Sequence, residues 1–314
     1  MAETVADIGE FGLIESIKQR VPRQDAGLGI GDDAAVLASP GSTLASVDTL
    51  VADRHFKLEW CSGTDVGHRA AAASLADIAA MGGVSQSLLL SLSVPVDTEV
   101  SWVLEVVDGL ISEAAEAGAD LVGGDVCQSE TANISVTALG HAERPVTRSG
   151  ARPGDVLAMA GRQGWAAAGL TVLSRGFRSP RALVNAYQRP HPPYDSGPAA
   201  AAGGARAMID ISDGLLADVR HLAVASGVIA ELDSDLVPVS DQLHETSSAF
   251  NVDPLTWVLA GGDDHALVAA FPPETVLPEL FTAIGRITAE TSGGSGVTVD
   301  GRAWSGKGGH DHFR

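Results

Sequence analysis

The chain has 314 residues, 45% of them hydrophobic, and its 40 acidic against 20 basic side chains give a formal net charge of −20. That length exceeds the ~150 residues typical of one domain, so two domains are expected, each with apolar residues enough for its own core. The charge excludes a general binder of nucleic acid, because no broad positive surface offsets phosphate repulsion; a nucleotide that arrives with Mg²⁺ brings the cation that carboxylates attract.

In chain order, residues 1–10 carry acids where a secretory signal would carry bases. No apolar run reaches membrane-spanning length, so a cytoplasmic protein with no membrane partner is expected. Phe11, Ile14 and Ile17 mark one side of a short helix over 11–21, stopped by Pro22. Residues 44–51 alternate as a strand, which puts Ser46 and Asp48 on one face, able to reach one ion together. Thr64 is the expected cap of an Ala-rich helix over 65–81, closed by Gly82-Gly83. Asp77 falls on that helix among Ala73, Ala76, Ile78 and Ala80, where an unpaired carboxylate would be desolvated. A strand over 87–94, a helix over 98–117, a short strand over 119–122 ending in a Gly123-Gly124-Asp125 turn, and a strand over 134–141 follow.

Turn chemistry at 147–155 marks a boundary, giving domains 1–147 and 148–314. The second half reads as strand 156–160, helix 165–175, a Pro-rich loop over 190–198, strand 207–211, helix 215–226, a helix near Leu255, strand 266–271 and a glycine-rich tail. The fold class is therefore mixed α/β (α+β) in two domains. Cys61 and Cys127, without metal-ligand spacing, read as small buried side chains, and His68, His221 and His244 as surface residues.

The chemistry lies in scattered acids beside glycines: Gly31-Asp32-Asp33, Ser46-Val47-Asp48, Asp77, Gly123-Gly124-Asp125, Asp210-Ile211-Ser212-Asp213-Gly214 and Gly261-Gly262-Asp263-Asp264. Each alone has a plain reading as a turn or a cap. Converging, they suit hard divalent cations, which take oxygen ligands and bind phosphates through a few carboxylates. Asp210 and Asp213 sit at a strand-to-helix junction, where ligands gather in α/β sheets; Ser212 or Asp213 acting only as a helix cap is an equal reading. Residues 301–307 read GxxxxGK, but Gly308 stands where a phosphate loop needs Ser or Thr, and the match is by chance.

The runs 29–36, 46–51, 77–82, 123–125, 210–215 and 261–264, in this order, resemble the thiamine-monophosphate kinase family of the aminoimidazole ribonucleotide synthetase superfamily. The likeness extends from Gly9-Glu10-Phe11 to Asp311-His312-Phe313. It implies a two-domain subunit that dimerises through N-terminal strands and holds ATP and several Mg²⁺ ions at the junction of its halves. It also implies transfer of the γ-phosphoryl group of ATP to thiamine monophosphate, giving thiamine diphosphate.

By motif position, Asp33, Ser46, Asp48, Asp77, Asp125, Asp210 and Asp213 resemble the metal ligands, and Gly124, Arg148 and Ser212 the nucleotide contacts. His55, Asp263 and a ring from the tail, Trp304 or His310, resemble the substrate contacts. The chain departs from the family pattern at Val47, where Thr is frequent, and at Asp263, one methylene shorter than the family's Glu. No nucleophile or base is assigned, since transfer between phosphates needs alignment and charge neutralisation. Two rival readings remain: another ATP-dependent synthetase of the superfamily, and a non-catalytic, metal-dependent nucleotide-binding module.

Overall fold

The computed structural model describes residues 35–39, 41–290, 292–304 and 309. The helix expected at 11–21, Asp33 and His310 lie outside those residues. The first half forms a sheet of β1 (Ala35–Ser39), β2 (Gly41–Val51), β3 (Val84–Val94), β4 (Asp120–Gln128) and β5 (Asn133–Ala142). Its order is β1-β2-β5-β3-β4, antiparallel except for β3 beside β4. Alternation points Leu44, Leu50, Leu88, Leu90, Leu92, Ile134 and Val136 at one face, where α1 (Gly63–Ala80) and α2 (Val100–Glu116) bury them.

Helix α1 starts earlier than a Thr64 cap would allow. Ser62 Oγ accepts the Asp65 N–H at 3.2 Å and the Asp65 carboxylate accepts the Ser62 N–H at 2.9 Å, a reciprocal capping box that serves two otherwise orphaned donors. The two helices cross closely because each offers a glycine: a Cβ on Gly67 would stand 1.8 Å from the Val106 carbonyl oxygen. A Cβ on Gly109 would stand 2.0 Å from that of Thr64. Gly123-Gly124-Asp125 is not a turn either. Strand β4 continues through it, and the bare Gly124 backbone lets β3 approach, since a Cβ there would meet the Leu90 carbonyl oxygen at 1.9 Å.

The second half forms a six-stranded sheet of β6 (Val156–Ala160), β7 (Ala207–Asp210), β8 (Val228–Leu232), β9 (Leu267–Phe271), β10 (Phe281–Ala289) and β11 (Gly296–Val299). The order is β11-β8-β10-β6-β9-β7, with only β11 and β8 parallel. Its helices are α3 (Trp165–Ser174), α4 (Arg181–Gln188), α5 (Ser196–Ala202), α6 (Leu215–Ser226), α7 (Asp241–Phe250) and α8 (Pro254–Ala260).

Helix α1 joins the halves. Its last turn, Ala79 and Ala80, is buried with Ala158, Met208, Leu267 and Phe271 of the second sheet, and Gly197 of α5 approaches so closely that a Cβ would lie 2.0 Å from the Ala79 carbonyl oxygen. Among the described residues no helix is long and apolar enough to cross a membrane. Two sequence expectations fail on burial. His68 is buried, because α2 covers it, and Cys127 is exposed, because β4 is an edge strand that no helix covers at that point.

Candidate active site at the junction of the halves

Three segments converge on the first sheet's helix-covered face. Ser46 and Asp48 project from β2 toward α1, where the Ser46 hydroxyl donates a short hydrogen bond to the Asp77 carboxylate. The flank of α1 that looked apolar therefore carries one partnered acid. From the second half, β7 ends in the buried Asp210, whose Oδ2 lies 3.0 Å from His265 Nδ1. Burial works against the His265 imidazolium, but the hydrogen bond and charge of Asp210, with the charges of Asp263 and Asp48, outweigh it and raise its pKa. Acids from both halves thus act on one imidazole.

The 210–214 and 261–265 loops lie against each other. The Ile211 N–H donates to Ala266, the Asp263 N–H to Ser212 and the His265 N–H to Ile211. Glycine makes this possible: a Cβ on Gly262 would stand 2.0 Å from the Ser212 carbonyl oxygen, and one on Gly214 2.8 Å from that of Ala260. Neither Ser212 nor Asp213 caps α6. Asp218, one turn into the helix, accepts the N–H groups of Asp213 and Gly214, each at 3.0 Å. Burial and then the charges of Asp210 and Asp213 push the Asp218 carboxyl well above the usual carboxylate range, against those two N–H groups.

Asp263 is paired. The guanidinium of buried Arg69 on α1 lies 2.7 Å from its Oδ2, donates to the Tyr187 carbonyl at 2.6 Å and stacks over the Tyr187 ring at 4.7 Å. Burial disfavours the Arg69 charge, yet Asp263 holds its pKa above the ordinary value.

The remaining expected residues scatter around this junction. His55 lies in the loop after β2, its Nδ1 accepting the Val51 N–H at 2.8 Å. Arg148 lies at the far end of α6, its carbonyl accepting from Ser226 at 3.2 Å. Burial lowers the pKa of His221, and the charges of Arg148 and Arg220 lower it further. Trp304 packs against the second core. Gly309 lies against Asp213 and Ala217, which brings the beginning of the tail to the cluster.

Gly124 shares a row with Asp48 across the sheet, through Val136 and Leu90. Asp125 pairs with Ser91 in the row of Ser135 and Thr49, on the opposite, helix-free face. Through the sheet it does not join Ser46 and Asp48. Sequence reasoning missed Arg69 and His265, whose partners come from distant chain segments, and Asp218, whose partners Asp213 and Gly214 lie just before it in the chain.

The AIR synthase related protein N-terminal domain model matches residues 31–142, and the corresponding C-terminal domain model matches 152–297. The thiamine-monophosphate kinase of Mycobacterium tuberculosis strain H37Rv is 42% identical over 99% of this chain and 93% of its own. That of Escherichia coli K12 is 36% identical over 97% and 98%. A solved structure described as AaThiL complexed with AMPPCP and TMP is 34% identical, covers 99% of both chains and superposes with a TM-score of 0.92. At that identity over nearly its whole length, the chain belongs to the thiamine-monophosphate kinase family of enzymes, built from the two domains of the AIR synthase related proteins.

Proposed function

We propose that this chain transfers the γ-phosphoryl group of ATP to thiamine monophosphate, by direct in-line displacement, at the junction of its halves. The observation that carries the reading is the convergence of Asp48 from the first half with Asp210 and Asp263 from the second around His265. The relative solved with AMPPCP and TMP supports the choice of substrates.

The donor set fits Mg²⁺. Ser46, Asp48, Asp77, Asp210 and Asp213, with Asp33, offer hard oxygens, and the charges of Asp210 and Asp213, which after burial raise the Asp218 pKa, are ones a cation relieves. Bound Mg²⁺ would neutralise the phosphate oxygens and align them. The chain's own residues do the rest. Gly124, Arg148 and Ser212 hold the nucleotide, while His55, Asp263 and Trp304 or His310 hold the thiamine phosphate. The acceptor is a phosphate monoester, mostly ionised at neutral pH because its second pKa is about 6, so no side chain has to take its proton.

We place the domain boundary at 147/148, in the segment between β5 and β6, and we infer a cytoplasmic homodimer joined through the helix-free face of the first sheet. Val47 and Leu89, 61% and 39% exposed, support that choice. Asp125 stands on the same face, so we assign it to an ion held where two copies meet. The test is a phosphorus NMR screen of phosphorylated acceptors with ATP and Mg²⁺. Thiamine diphosphate and ADP should form from thiamine monophosphate, and ATP chiral at its γ-phosphorus should give inverted product. Turnover only with a carbonyl or amide acceptor, or nucleotide binding without turnover, would sink the reading.

A further inference from the structure

Away from that junction, a second group of ligand-type side chains meets where the first half touches the 189–194 segment of the second. His68 on α1, Glu113 on α2 and His191 each offer a nitrogen or carboxylate oxygen, all within 4.8 Å of one another. They border a cleft of about 690 Å³ that Asp65, Glu116 and Arg189 also line. His68 and Glu113 are buried, Glu113 to 1% exposure, and His191 is exposed at the cleft mouth.

A hydrogen-bonded network does not account for the group. The His68 Nδ1 is buried and makes no hydrogen bond, while its Nε2 lies 2.6 Å from Glu113 Oε2. A buried polar atom left without a partner is costly, about 1–3 kcal/mol. The other carboxylate oxygen is fixed, since the Tyr194 hydroxyl donates to Glu113 Oε1. An outer hydrogen bond of this kind orients a carboxylate ligand for a metal.

We propose that His68, Glu113 and His191 bind one divalent transition-metal ion of the Zn²⁺ class. Two imidazoles and one carboxylate select a borderline cation over Mg²⁺, which takes oxygen ligands. Three protein ligands at ~2.0–2.2 Å from the ion leave a fourth position open to the cleft. With two ligands from first-half helices and the third from the second half, the ion fastens the halves together at a point the acidic cluster does not reach.

The test uses the full chain, stripped with chelator and then given excess Mg²⁺ to occupy the acidic cluster, and titrates it with Zn²⁺ by calorimetry. One Zn²⁺ per chain should bind, raising the unfolding midpoint. His191→Ala, an exposed change that leaves the fold intact, should weaken that binding by more than ~10-fold, as should Glu113→Gln. Co²⁺ in place of Zn²⁺ should give visible absorption bands that His191→Ala alters. Failure of Zn²⁺ to bind at one equivalent under Mg²⁺, or binding as tight as the wild type's in His191→Ala or Glu113→Gln, would overturn the site. Kinase turnover is not read in any arm, so the outcome is independent of the proposed reaction.

Discussion

A single hydrogen bond shows how the site treats its acids. Ser46 donates to Asp77, which gives the carboxylate a partner on a largely apolar helix flank. Exchanging that oxygen for an amide removes a charge without changing volume. Asp77→Asn and Asp213→Asn should therefore each lower kcat more than ~10-fold, a loss above ~1.4 kcal/mol of transition-state stabilisation, with an unchanged circular dichroism spectrum. A variant that kept a tenth or more of the activity would not have lost a primary metal ligand.

Asp263 carries a second residue-scale expectation. It faces Arg69 at 2.7 Å while its own side chain is 45% exposed. Asp263→Ala should raise the KM for thiamine monophosphate and, by stranding a buried guanidinium, cost about 1–3 kcal/mol of stability, less than the ~3–5 of a fully buried pair. Asp263→Glu should keep the pair and the substrate affinity, and neither change should move the KM for ATP. A KM for thiamine monophosphate that stays put in the Ala variant would reduce Asp263 to an anchor for Arg69. Asp125, Asp210, Asp213 and Asp263 were legible beside glycines or at the end of an apolar run, Asp48 by strand alternation and Asp77 by its apolar helical neighbours. Arg69 and His265 were not, because a charge buried by a partner 55 or more residues away, as in His265 with Asp210, leaves no local pattern; Asp218, which accepts from Asp213 and Gly214, reads in sequence as one more polar residue of an amphipathic helix.

At the level of elements, strand 156–160 and helix 215–226 were legible to the residue, since uninterrupted apolar or amphipathic patterns end there in Gly161 and Gly227. Helix α4 lay hidden between Pro180 and Pro190, β8 follows α6 after one glycine, and β10 is broken by an irregularity at Gly285. Helix α3 also rests on something invisible in sequence. Asp264, from the loop before β9, accepts the Ala166 N–H at 3.0 Å at the start of α3, and burial, opposed by backbone N–H groups and joined by the charge of Asp263, raises its pKa from 3.8 to about 7.

The folded chain therefore holds a proton on Asp264 between about pH 4 and pH 7 where the unfolded chain has released it, so this group's contribution to stability declines as pH rises through that window and is level above it. A shift of this size is at most about 4 kcal/mol. Asp264→Asn should flatten the urea-unfolding midpoint between pH 5 and pH 8 relative to the wild type. Parallel pH profiles for the two proteins would show that Asp264 is ionised throughout.

On the scale of the whole molecule, the two sheets meet through α1, and among the described residues one face of the first sheet carries no helix. Substituting Val47 by Asp on that face should leave the protomer folded, because the side chain is 61% exposed, and should halve the mass seen by sedimentation velocity. A wild-type chain that already sediments as a monomer at micromolar concentration would remove the dimer from the proposal. The contact between Gly262 and the Ser212 carbonyl has a further consequence, for how such an enzyme can change over generations. With 2.0 Å between that oxygen and any added Cβ, position 262 admits no side chain while the two loops keep this contact. A carboxylate arm shortened by one carbon at Asp263, by contrast, is a change that leaves this contact untouched. Substrate preference can thus evolve on a backbone that stays where it is.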